Sequence, residues 1–66
     1  MNMETGKVKW FNAQKGFGFI IHNGKDLFVH FKDVIGGANA IADNDEVEFE
    51  ITEGKKGPQA VNVKKI

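Results

Sequence analysis

The sequence predicts an all-β chain folded as a small closed or partly closed barrel of five strands. Three observations carry that expectation. Apolar residues alternate over short runs instead of recurring at helical spacing. Eight glycines punctuate those runs, with Pro58 the single proline. The 66 residues also leave no room for two stacked sheets of useful size.

The first run is Gly6 to Ala13, where Lys7, Lys9 and Phe11 share one phase and Val8, Trp10 and Asn12 the other. A half-buried strand does not place Lys and Phe together on its dry face, so a bulge or sharp coil near Trp10–Phe11 is expected to change the phase. The second run, Gly16 to His22, has Phe17, Phe19 and Ile21 on one face and Gly18 and Ile20 on the other. Asn23-Gly24 follows, the strongest short hairpin signal, because a type I′ turn needs positive φ at both central positions. The third run, Asp26 to Lys32, sets Leu27, Val29 and Phe31 against Phe28 and His30. Residues 33–45 read as a long loop with at most one helical turn. In the fourth strand Val47, Phe49 and Ile51 are expected inward, with Glu46, Glu48, Glu50 and Thr52 toward water. Glu53 to Gly57 reads as a flexible connection, and the fifth run is Gln59 to Lys64.

A chain of 7.3 kDa is expected to form one domain over residues 1–66. It buries only about 60% of the surface its unfolded form exposes, so the core is thin. There is no cysteine, hence no disulfide and no thiolate metal site. No apolar run approaches the roughly 20 residues of a membrane span, and no signal-type apolar region opens the chain, so a cytoplasmic setting is expected. A multi-domain enzyme with a buried cofactor cleft is excluded, and neither a cofactor nor a metal is expected.

The net charge is zero but segregated. Residues 1–32 carry five Lys against Glu4 and Asp26, residues 33–53 carry seven acids and no Lys, and residues 54–66 carry Lys55, Lys56, Lys64 and Lys65. If the two basic segments lie side by side, one face of the molecule is positive.

Trp10 and six Phe are many aromatics for so small a core. Branched aliphatics and Leu suit a narrow interior and His30 does not. Ile20, Leu27 and Val29 are therefore assigned inward, and Phe17, Phe19, Phe28 and His30 outward on two strands joined by the Asn23-Gly24 turn. On periodicity alone the reverse, with the three Phe as the core, stays open. Exposed rings forfeit roughly 1.5–3 kcal/mol each, so such a cluster calls for a ligand with flat faces. Interleaved Lys7, Lys9 and Lys15 suit unpaired bases joined by phosphates.

At these residues the chain resembles the bacterial cold shock proteins. Lys15-Gly16-Phe17-Gly18-Phe19-Ile20 is similar to that family's first ribonucleoprotein-type motif, and Leu27-Phe28-Val29-His30-Phe31 to its second. Gly6 to Asn12 and Gly57-Pro58-Gln59-Ala60 resemble its opening strand and the entry to its last strand. The resemblance covers almost the whole chain. It implies a five-stranded antiparallel OB-type barrel that binds single-stranded RNA and DNA, with no catalysis, and acts as an RNA chaperone. Carried over by position, Trp10, Phe17, Phe19, Phe28, His30 and Phe31 would be stacking platforms. Lys7, Lys9, Lys15 and Lys56 would contact phosphates or base edges, and Asn12 and Gln59 would hydrogen-bond bases. Val8, Phe11, Ile20, Val29, Val47, Phe49, Ile51 and Val63 would form the core.

Three departures from the family pattern stand out. The Ile21–Lys25 connection is about one residue shorter than usual. Ala38-Asn39-Ala40 occupies a loop that usually carries a stacking aromatic. Ile21 extends the apolar phase of the Phe residues.

Other classes fit less well. An enzyme would need His22 or His30 paired with Asp26 or Asp33. No nucleophile with a base partner or metal-ligand spacing is present, and Gly54-Lys55-Lys56-Gly57 is too short for a phosphate-gripping loop. Oligosaccharide binding suits small barrels, but segregated Lys argue for an anionic polymer. The exposed rings would also serve a protein-interaction or homodimer surface. A monomer is the expected state, with a strand-exchanged dimer as the alternative.

Overall fold

The computed structural model describes residues 3–55 and 57–66. The strands are β1 (Glu4–Asn12), β2 (Phe17–His22), β3 (Lys25–His30), β4 (Glu46–Gly54) and β5 (Gly57–Lys65), with one 3-10 turn at Phe31–Asp33. They close a barrel in the order β1-β2-β3-β5-β4, and β4 pairs back onto β1. Every seam is antiparallel except β3·β5, where Phe28 faces Gln59 in parallel. The all-antiparallel expectation is corrected at this one seam for a topological reason. A closed ring with an odd number of strands cannot reverse direction at every boundary.

The phase change in β1 comes one residue before the expected place. Val8 pairs with Ile20 but Trp10 pairs with Phe19, leaving Lys9 as the extra residue. That bulge lets Val8 point inward, Trp10 outward and Phe11 back against the core. Between β2 and β3, Asn23 and Gly24 form the turn with φ of 52° and 76°, and His22 pairs with Lys25. Both central residues adopt the positive φ that a type I′ turn requires.

The interior holds Val8, Ile20, Leu27, Val29, Val47, Phe49, Ala60 and Val63. Ile20 and Val29 are fully buried, so the inward assignment of the aliphatics holds. Val34 and Ile41, from the segment expected to be a loop, are buried as well. Val34 bridges Val63, and the Ile35 N–H donates to the Val63 carbonyl at 2.8 Å, so this segment closes the end of the barrel where β5 finishes.

Ile51 corrects the expected core. It lies opposite the buried Ala60, on the inward phase, yet is 44% exposed. The β4–β5 ladder runs past the filled interior, so an inward-facing side chain there looks into the open end of the barrel.

The third strand also stops earlier than its alternation suggests. The Phe31 N–H still donates to the Gly16 carbonyl at 2.8 Å, in the β2–β3 register. The Lys32 N–H then donates to His30 Nδ1 at 3.3 Å and the Val34 N–H to the Phe31 carbonyl at 3.1 Å, which starts the 3-10 turn and ends the strand. Pairing of β4 with β5 continues to Gly54 opposite Gly57, so the connection is shorter than Glu53–Gly57. The two basic segments meet where β3 pairs with β5, but the lysines at the end of β5 turn to acidic partners. Lys64 pairs across from Glu48 and Lys65 lies 3.7 Å from Asp45, both on the acidic side of the barrel.

Gly18 tests the β1–β2 packing. A methyl group there would overlap the Trp10 carbonyl oxygen and sit 2.7 Å from Phe11 Cα. Backbone cannot yield as a side-chain tip does, so Gly18→Ala is expected to cost about 1–3 kcal/mol. In a domain this small that lowers Tm by at least about 4 °C. An unchanged thermal melt would contradict the close approach of these two strands.

Candidate functional site

The outward phases of β1, β2 and β3 form one surface. Across it Trp10 pairs with Phe19 and Phe19 with Phe28, while Asn12 pairs with Phe17 and Phe17 with His30. Strand neighbours on one face lie about 4.5–5.5 Å apart at Cβ, so these rings have to meet. Trp10 meets Phe17 at 5.6 Å and Phe19 at 5.4 Å, both edge-on. Phe17 and Phe28 stack at 5.9 Å, and Phe19 sits edge-on to Phe28 at 5.9 Å. Each ring shields part of its neighbour, so Phe17, Phe19 and Phe28 are half-buried and keep one face toward solvent. Such contacts add about 0.5–1.5 kcal/mol per pair and hold the side chains in place before anything binds.

At one edge His30 lies 4.7 Å from Phe31. His30 Nδ1 accepts the Lys32 N–H, which fixes the imidazole as the cap of the 3-10 turn. Phe31 is exposed. It reaches this edge from the turn and not from the strand phase. At the opposite edge Ile21, 40% exposed, continues the apolar row beyond Phe19.

The polar residues singled out from the sequence divide into two groups. Lys7 and Lys15 are exposed beside the aromatic rows. Lys9 crosses β2 to pair with Asp26 at 2.9 Å, so its ammonium already has a carboxylate partner. The pair is close to half exposed on both sides and adds about 0–1 kcal/mol of stability. Asn12 Oδ1 accepts the Lys15 N–H at 2.9 Å and so shapes the β1–β2 turn. Gln59 Nε2 donates to Asp33 Oδ2 at 2.8 Å, which steers the Gln59 amide beside Phe28. Lys56 lies outside the described residues. Asp26 and Asp33, which orient Lys9 and Gln59, were not singled out as site residues. Both pairs join residues far apart in the chain, and no local pattern marks them.

Ala38, Asn39 and Ala40 place no ring beside the surface, and Ala40 packs against the core. Among the described residues no group of His, Asp or Glu is arranged to hold a metal ion. None of their helices is long and apolar enough to cross a membrane.

Residues 4–66 match the family described as the 'Cold-shock' DNA-binding domain. The chain is 55% identical over 65 residues to a cold shock-like protein CspD of Bacillus cereus, covering 96% of this chain and 98% of that one. It is 54% identical over 66 residues to the cold shock protein CspD of Bacillus subtilis, covering 97% of this chain and all of the relative. Among solved structures it is similar to drosophila Unr CSD456, with a TM-score of 0.79 and 31% identity. That match covers 98% of this chain and 27% of the longer one.

Proposed function

Because the chain belongs to the cold-shock DNA-binding domain family, whose barrel is of the OB type, we propose that it binds unpaired RNA and DNA on the outer face of β1–β3. One observation carries the reading: three adjoining Phe rings and Trp10 face outward while smaller aliphatics fill the barrel. Trp10, Phe17, Phe19, Phe28, His30 and Phe31 supply the stacking platforms. Each base laid on an aromatic contributes about 1–3 kcal/mol, and every base has a flat face, so selectivity is broad. Lys7 and Lys15 meet phosphates directly. Lys9 keeps Asp26 as its partner and turns a remaining ammonium hydrogen to a phosphate or base edge, and Lys56 belongs to the same set by position. Asn12 and Gln59 address base edges, Gln59 from its hold on Asp33.

Bases in a duplex are already stacked on one another, so the surface gains most from open strands. Preferential binding to those strands pulls a hairpin equilibrium toward melting by mass action, with no ATP and no catalysis. This is RNA chaperone activity, and the reading includes a monomer of one domain working in the cytoplasm.

Trp10 gives the direct test, since it stands within the ring cluster. Titration with an oligopyrimidine is expected to quench its fluorescence strongly, and the matching duplex weakly. With three or four Lys on phosphates, log K should fall against log salt with a slope of roughly −2 to −3. Equal quenching by duplex and single strand would remove the proposal.

A further inference from the structure

Among the described residues, β3 pairs with β5 only at Phe28 opposite Gln59, so Lys25, Asp26 and Leu27 have no strand beside them on that side. A cleft of about 410 Å³ opens there, between the β2–β3 and β4–β5 hairpins. Leu27, Ile51 and Pro58 give it an apolar lining, and His22, Asn23, Lys25 and Asp26 carry its polar groups. The volume lies within the roughly 300–1,000 Å³ typical of small-ligand clefts. It also accounts for Ile51, whose inward phase leads into this opening and not into the packed interior.

Charge and continuity narrow the occupant. Asp26 is already engaged by Lys9, whereas Lys25 has no ion-pair partner among the described residues. The polar side therefore offers an ammonium to an anion. Asp26 also stands on the outward phase of β3, two residues from Phe28, so it belongs to the cleft and to the aromatic face together. A polymer leaving Phe28 along β3 meets an uncovered strand edge, whose backbone groups are available for hydrogen bonds, and then the cleft.

We propose that this cleft is an additional nucleotide subsite for the same single strand, one unpaired base resting on Leu27, Ile51 and Pro58 with its phosphate beside Lys25. The inference rests on the reading of the aromatic face given above, and it adds a position off that face, at the open end of the barrel.

The test compares two oligothymidines, of about four and about eight nucleotides, within the span of OB-type site sizes. Binding to the wild type, Ile51→Glu and Lys25→Gln proteins is followed by Trp10 quenching at low salt. The longer strand is expected to bind Ile51→Glu at least five-fold more weakly and Lys25→Gln two- to three-fold more weakly. The shorter strand should bind all three proteins alike. Ile51 and Lys25 are both exposed, so both variants should melt within a few degrees of wild type; Lys25→Gln carries the test alone if Ile51→Glu does not fold. Equal affinity of all three proteins for the longer strand overturns the subsite while leaving the face reading intact. Failure of the wild type to bind either strand overturns the face reading first. A dimer in sedimentation without nucleic acid, dissolved by Ile51→Glu, would assign the cleft to a second copy and likewise end the proposal.

Discussion

Phe28→Ala is expected to weaken single-strand binding by about 1–3 kcal/mol, the value of one base–aromatic stack. At the upper end that is more than a hundred-fold in Kd. Phe28 is central because it stacks on Phe17 and meets Phe19 edge-on, so its loss removes one platform and loosens two others. No charge changes, and the salt slope should stay where it was. Lys15→Gln should do the opposite, reducing the slope by about 0.7 with a smaller loss at any one salt concentration. Titrations of both variants at several salt concentrations check the division of labour. If both flatten the slope equally, stacking and phosphate contact are not the separate contributions described here. Half-buried Phe28 sits outside the barrel, so far-UV circular dichroism of Phe28→Ala should match wild type.

Phe49→Ala should instead remove the fold. Phe49 is fully buried, the largest side chain in the interior, and its ring meets His22 edge-on at 5.5 Å. Truncating such a residue costs about 3–5 kcal/mol. Small domains sit near the lower end of the usual 5–15 kcal/mol of stability, so most or all of the margin goes. Urea unfolding should show a midpoint close to zero denaturant for Phe49→Ala, against a clear cooperative transition for Phe28→Ala. Two phenyl rings of equal size would then separate by function: one holds the barrel together, the other works on its outside.

Much of this was readable from residue order, for reasons that also explain the misses. A bulge was required because Lys7, Lys9 and Phe11 shared a phase that no single strand face accommodates. The inward choice of Ile20, Leu27 and Val29 followed from which side chains fit a narrow interior. Alternation reports parity but not where the interior ends, so Ile51 was placed correctly in direction and wrongly in burial. The end of β3 was hidden because neither Gly nor Pro marks it; the strand ends where the His30 imidazole caps the Phe31–Asp33 turn, and a histidine in an alternating run does not announce that role. The parallel β3·β5 seam, the Lys9–Asp26 pair and the Gln59–Asp33 bond all depend on which strands become neighbours. Local pattern does not carry that information.

The extra residue at position 9 imposes a rule on how this strand tolerates change. Many side chains fit at an exposed bulge, so substitution there alters charge and little else in the architecture. Deletion is a different event. With one residue fewer, Val8 and Trp10 would follow one another in plain register with Ile20 and Phe19, so Trp10 would stay out and Phe11 in, and the losses would be the bend of the strand and the Lys9–Asp26 pair. Position 9 thus governs the strand's curvature and local charge, while the wet and dry sides on either side of it do not depend on its presence.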